Sequence, residues 1–321
     1  MNNRYEIPLP GLVGSKPIAF MATLGLLRTL AAMDKNYHPK IRWEMQDDWI
    51  PILSLRRIEN LDQLIETLIK YNPELSKYDW LNLESAEIKV PVNMFRGWME
   101  IFSTKSTLSH RETIDFIASF GSELVVITSG DNKGKVKPSL LCMTSGNQMY
   151  FNSIRETLDD VNKAIDKRDR YMELLTGPWK YDDPNHSLGW DPTMERLHAL
   201  RPKAPTNDKG KFSSVRLAVW FAALSLPFFP TLSKNNEINC ACFTRANRKN
   251  NWLFRWPLWG AEIGIDEIKL LLTNSSIGNV EPNFRMRKIL EPLGVKAVYQ
   301  SIQYVSSHGY GIFRPAEMIP W

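Results

Sequence analysis

The sequence predicts a mixed α+β fold in two lobes, with short antiparallel strands and several helices, on three observations. Apolar residues recur at helical spacing in some segments and alternate at strand spacing in others, and neither pattern repeats with the period of a solenoid or propeller. The 321 residues are 43% hydrophobic and 23% charged, the proportions of a globular chain and not a disordered one. From Thr176 to Pro192 the texture changes to Gly, Pro, Asp, Asn and Trp, which places a boundary near residue 180. The expected lobes are residues 1–180 and a basic C-terminal lobe, residues 181–321.

Tyr5–Pro10 reads as a short strand, and Gly11–Ser15 as the turn into a helix over Pro17–Met33. Ile41–Met45 and Ile52–Leu55 alternate as strands around the loop Gln46–Pro51. Asn60 caps a helix Leu61–Tyr71, whose Leu61, Leu64, Ile65, Leu68 and Ile69 fall on one face. Ser109 with Glu112 forms a capping box ahead of a helix Thr113–Phe120, which Gly121 ends. Glu123–Thr128 and Ser139–Met143 read as paired strands around the turn Gly130–Lys137. Ser153 with Glu156 forms a second capping box, opening one charged helix that runs to Leu175. Beyond the boundary the sequence predicts a polar loop Lys203–Lys211, a helix Phe212–Leu226, a strand Ile238–Phe243 and a basic loop Thr244–Asn251. A Trp-rich segment Trp252–Trp259 follows, read mainly as core, then helices Asp266–Thr273 and Asn283–Leu290 and a last strand Ala297–Val305.

Two apolar stretches bear on membranes and targeting. Pro17–Met33 carries Arg28, runs into Asp34–Lys35 and lacks a small-residue cleavage site, so a buried helix is expected and not a signal peptide. Leu217–Leu232 is interrupted by Pro227 and Pro230, leaving a run of about ten residues, too short to span a bilayer. Three Cys cannot build a disulfide framework, which points to a reducing compartment. A soluble, cytoplasmic chain without a membrane partner is the expectation.

Catalytic groupings are sparse. His38, His110, His186, His198 and His308 are scattered, none three or four residues from another. Cys240 and Cys242 share a face of the expected strand but supply two zinc ligands at most, so two thiols packed against the core are expected. There is no phosphate-binding GxxxxGK[ST] loop and no GxSxG elbow, and Gly309–Tyr310–Gly311 meets Arg314 where a dinucleotide fingerprint needs a small residue. Asp47–Asp48 and Asp182–Asp183 read as solvated surface and not as metal ligands. No cofactor or metal is expected.

Charge is more telling. The net is only +5, yet residues 1–160 carry −2 and residues 161–321 carry +7. Between residues 196 and 255 eleven Lys and Arg face only Asp208 and Glu237. Such asymmetry points to an anionic partner. Within this stretch Arg245, Asn247, Arg248, Lys249, Asn250 and Asn251 lead into Trp252. Cations neutralise phosphates, amides bond base edges or backbone, and an exposed indole stacks on an unpaired base. The same string also fits a solvated hairpin turn whose Trp faces the core. Lys133, Lys135 and Lys137 make a second, smaller positive tip, and Arg201, Lys203, Lys209 and Lys211 are candidates for a nucleic-acid backbone.

Four segments, in order, resemble one family. They are Leu9-Pro-Gly11 with Ala22-Thr-Leu-Gly-Leu-Leu-Arg28, and Ile41-Arg-Trp43 leading to Pro51-Ile-Leu53. Then come Gly189-Trp-Asp-Pro-Thr193 with Ala199-Leu-Arg201, Ala218 and Leu226-Pro-Phe-Phe-Pro230, and last Phe254-Arg-Trp-Pro-Leu-Trp259 with Ile268 to Leu272. Together they resemble the large-subunit-like proteins of CRISPR type I effector (Cascade) complexes, subtype I-G, formerly I-U. The resemblance implies a subunit at the foot of an RNA-guided complex. Its partners would be guide RNA, target DNA, the other Cascade subunits and a recruited helicase–nuclease. Its work would be recognition of the short motif flanking the target, in antiviral defence, without a catalytic centre. Two alternatives come from other classes: a CRISPR RNA-processing endoribonuclease using His308 or His198, and a purely structural adaptor.

Overall fold

The computed structural model describes residues 3–71, 74–104, 107–143, 150–183, 187–192, 214–246, 251–279, 284–305 and 311–320. Strand β1 (Tyr5–Pro8) precedes helix α1 (Pro17–Met33), and the hairpin β2 (Lys40–Met45) and β3 (Trp49–Leu55) completes an antiparallel sheet in the order β1-β3-β2. The hairpin is tighter than the sequence predicts. Asp48 closes it by accepting from the Trp49 N–H (2.6 Å) and from the Ser15 hydroxyl (2.7 Å). Helix α2 (Leu61–Tyr71) begins as expected, with Asn60 Oδ1 accepting from Gln63 N at 3.0 Å.

Helix α3 (Val92–Ser103) is an element that the sequence pattern does not predict. Helix α4 (Leu108–Phe120) starts five residues early, because Thr107 and not Ser109 is its cap: the Thr107 hydroxyl accepts from His110 N. Strand β4 (Gly121–Val126) pairs with β5 (Val136–Pro138), so the partner starts at the end of the expected turn and Ser139–Met143 forms no strand. The long charged helix is two helices, α5 (Tyr150–Lys163) and α6 (Lys167–Thr176), with Ser153 inside the first turn of α5.

Helix α7 (Arg216–Leu224) is wholly apolar after Arg216 and ends before the prolines. Hairpin β6 (Thr231–Lys234) and β7 (Glu237–Cys240) turns on Asn235 and Asn236, both at positive φ (53° and 58°). That is the geometry of a two-residue hairpin turn, which Asn tolerates. The expected strand Ile238–Phe243 breaks at Cys242, whose φ is +67°, and the chain resumes as β8 (Phe243–Arg245). Next come β9 (Trp252–Trp259), α8 (Ile265–Thr273), α9 (Ser275–Gly278), α10 (Phe284–Leu290), β10 (Val295–Val305), β11 (Gly311–Phe313) and β12 (Glu317–Met318). The second sheet runs β11-β10-β9-β8 with β12 added to β10, all antiparallel.

Residues from both sides of position 180 share one hydrophobic core. Helix α1, fully buried along most of its length, packs on α7. Trp43 of β2 lies edge-on to Trp259 of β9 at 6.2 Å, with Phe20 of α1 stacked on Trp43 at 6.0 Å. The indole N–H groups of Trp256 and Trp259 donate to the buried carbonyls of Gly14 and Ile41, each at 2.8 Å. Strand β9 is therefore the element that ties the N-terminal sheet to the C-terminal one.

Candidate nucleic-acid interface

Strands β8 and β9 form a hairpin whose root is fixed residue by residue. Arg245 and Trp252 are directly opposed in the antiparallel register, and Ala246 N donates to Asn251 O at 2.9 Å to close the ladder. The Arg245 guanidinium lies over the Trp252 ring, 4.9 Å from its centroid, and pairs with Glu237 of β7. Trp252 is half-buried, so its indole serves neither wholly the core nor wholly the solvent. Of the expected contact loop, Arg245 and Asn251 flank this root. Asn247, Arg248, Lys249 and Asn250 lie outside the described residues.

Below the root opens a cleft of about 370 Å³, the size of a small-ligand site. One wall is the β6–β7 hairpin with Lys234, Asn235 and Asn239; the floor is Cys240–Arg245; the other wall is the turn from Leu272 to Asn279. Cations, amides and an indole thus meet in space. The sequence does not place Lys234, Asn239, Asn274 and Asn279 beside Trp252, because they come from the separate β6–β7 hairpin and from the two ends of helix α9, which only tertiary packing brings to the cleft. The Asn235–Asn236 turn was the one local signal that could have placed Lys234 beside it.

The other candidates fall elsewhere. Lys133 and Lys137 are exposed on the β4–β5 hairpin, Lys135 is half-buried and bonds Asn132 Oδ1 at 3.0 Å, and none of the three lines the cleft. Arg201, Lys203, Lys209 and Lys211 lie outside the described residues, as do His186, His198 and His308. Two cations of the basic stretch serve packing. Arg255 donates to Gln300 Oε1 (3.1 Å) and to Gly278 O (2.8 Å). Arg216 pairs with Asp183 at 3.4 Å, and Asp183 also pairs with Arg170 at 3.2 Å. Asp183 is therefore buried and structural, against the expectation of a solvated acid pair.

Cys240 and Cys242 are both buried free thiols; they donate to Phe229 O (3.3 Å) and Leu272 O (3.5 Å). The bend at Cys242 separates them, so they do not share a strand face as the sequence suggests. Burial pushes the Cys240 thiol up to about 12 and raises Cys142 and Cys242 as well. Among the described residues no group of three or more His, Cys, Asp and Glu is placed to hold a metal, and no helix is long and apolar enough to cross a membrane. His110 Nδ1 lies 2.6 Å from the Thr107 hydroxyl, a helix-cap contact.

The site belongs to an α+β protein with a basic, amide-lined hairpin root. No protein-family model matches the chain, and no curated protein matches it.

Proposed function

We propose that this chain is a non-enzymatic, nucleic-acid-binding subunit of an RNA-guided CRISPR effector complex, acting in recognition of the motif that flanks the target. The observation that carries the reading is the Arg245–Trp252 pair at the root of a hairpin whose loop holds Arg248 and Lys249. It lies in a stretch where eleven cations meet two acids. Such a loop neutralises phosphate charge and offers amides to base edges, while sequence reading is left to the guide. The ordered resemblance of four segments to the subtype I-G large-subunit-like proteins supports the same reading. Lys133, Lys135 and Lys137 form a second contact, and Arg201, Lys203, Lys209 and Lys211 follow the guide or target backbone. The near-neutral N-terminal half faces the neighbouring subunits and the recruited helicase–nuclease.

Ultraviolet crosslinking in the reconstituted complex, with photoreactive bases in guide RNA and target DNA, tests this. Crosslinked peptides spanning residues 245–252 are expected. Crosslinks confined to protein neighbours would leave a purely structural adaptor. Metal-free cleavage of repeat RNA, lost on His308→Ala, would establish the ribonuclease instead.

A further inference from the structure

We infer that the cleft beneath the β8–β9 hairpin receives one unpaired nucleotide of a single strand, so that this chain discriminates single-stranded from duplex nucleic acid. The inference rests on the nucleic-acid reading and sharpens it. Three features of the cleft converge.

The first is a stacking platform. The guanidinium of Arg245 already lies over the Trp252 ring, held there by the cross-strand register and by Glu237. Bases stack on indole rings and on guanidinium planes alike. A nucleobase adds a third layer to this pair, and it must be unpaired to do so. A base still in a duplex presents only its edge.

The second is open hydrogen-bonding capacity. The side chains of Asn239 and Asn279 line the cleft and make no hydrogen bond among the described residues. Asn274 accepts from Ser276 N at 2.9 Å through its Oδ1, which leaves its NH₂ group to donate. A primary amide offers donors and acceptors side by side, the pattern a Watson–Crick edge requires. The third is charge at the mouth. Lys234 is exposed and has no carboxylate partner among the described residues, whereas Glu237 is occupied by Arg245. Lys234 is thus available to the phosphate that accompanies the base.

The test is fluorescence anisotropy on the full chain, with a labelled single strand of about 20 nucleotides, longer than one single-strand site, and the same sequence as a duplex. The wild-type chain is expected to prefer the single strand. Trp252→Ala should weaken single-strand binding on the order of tenfold and duplex binding several-fold less, and so erase the preference, with Trp252→Phe restoring most of it. Equal losses on both probes, or no preference in the wild type, would overturn the inference while leaving nucleic-acid binding intact. Binding to neither probe would reject the broader reading and this one with it. Should Trp252→Ala fail to fold, the Asn239→Ala, Asn279→Ala double variant decides, since neither side chain supports the fold: selective loss on the single strand is expected, and unchanged affinity overturns the inference. A competition arm with uridine monophosphate separates sources. Weak competition fits strand capture, whereas competition as strong as that of the oligonucleotide would mark a free-nucleotide site and overturn it.

Discussion

Gly25 marks the closest approach of α1 and α7: a Cβ built there would stand 1.7 Å from the Phe221 carbonyl oxygen. Backbone cannot yield as a side-chain tip can, so Gly25→Ala forces the two helices apart. It should cost ~3 kcal/mol or more, read as a lowered denaturant midpoint. The three thiols give a second residue-scale expectation. Each stays neutral in the folded chain because burial opposes the thiolate, while in the unfolded chain it ionises near the ordinary value of about 8.5. Above that pH the unfolded state binds fewer protons than the folded one, so stability falls as pH rises from about 8.5 toward 12. Denaturant midpoints should be flat below about pH 8 and decline above about pH 9, less steeply for Cys240→Ala; a flat profile up to about pH 10.5 would contradict the burial of these thiols. At this scale the sequence spoke unevenly. Asn60 is the cap it promised, but Thr107 displaced Ser109, since several Ser and Thr lie within one turn and only the backbone path chooses among them.

At the scale of elements, period was a good guide where one face is buried and a poor one where the chain bends. Helix α1 has the bounds the pattern predicts, as its run from Pro17 is apolar and breaks at Asp34. The single helix expected up to Leu175 is instead α5 and α6, because residues 164–166 interrupt it and leave Ile165 wholly exposed. Neither a proline nor a glycine marks that break. The strand through Cys240 fails for a similar reason, as the positive φ falls on a Cys and not on a residue that announces a turn. Strand β9 carries the clearest element-scale prediction. Trp259→Phe keeps an aromatic ring against Trp43 but removes the indole donor to the Ile41 carbonyl, which keeps only the Ile263 N–H at 3.2 Å. A loss of about 1–2 kcal/mol in unfolding free energy is expected by chemical denaturation, from the lost indole hydrogen bond and the smaller ring.

On the scale of the whole molecule, charge is distributed where packing allows it. The N-terminal half uses its cations locally: Arg28 on Glu112, Arg42 on Glu6 and Glu44, Arg155 on the carbonyls of Leu81, Leu83 and Ser85. In the C-terminal half Arg216 and Arg255 are likewise consumed by structure, which composition alone could not foretell. The cleft is legible in part: the string from Arg245 to Trp252 marks one side, whereas the opposing amides are set by the packing of the β6–β7 hairpin and helix α9 against it. In the proposed function this hairpin contacts phosphates. That contact is tested by replacing Arg245, Arg248 and Lys249 together with Ala and measuring target-DNA affinity of the assembled complex across salt concentrations. Weaker binding is expected, with a slope of log affinity against log salt reduced by about two to three, since each phosphate that is no longer neutralised lowers it by about 0.9. Unchanged affinity with an unchanged slope would contradict it.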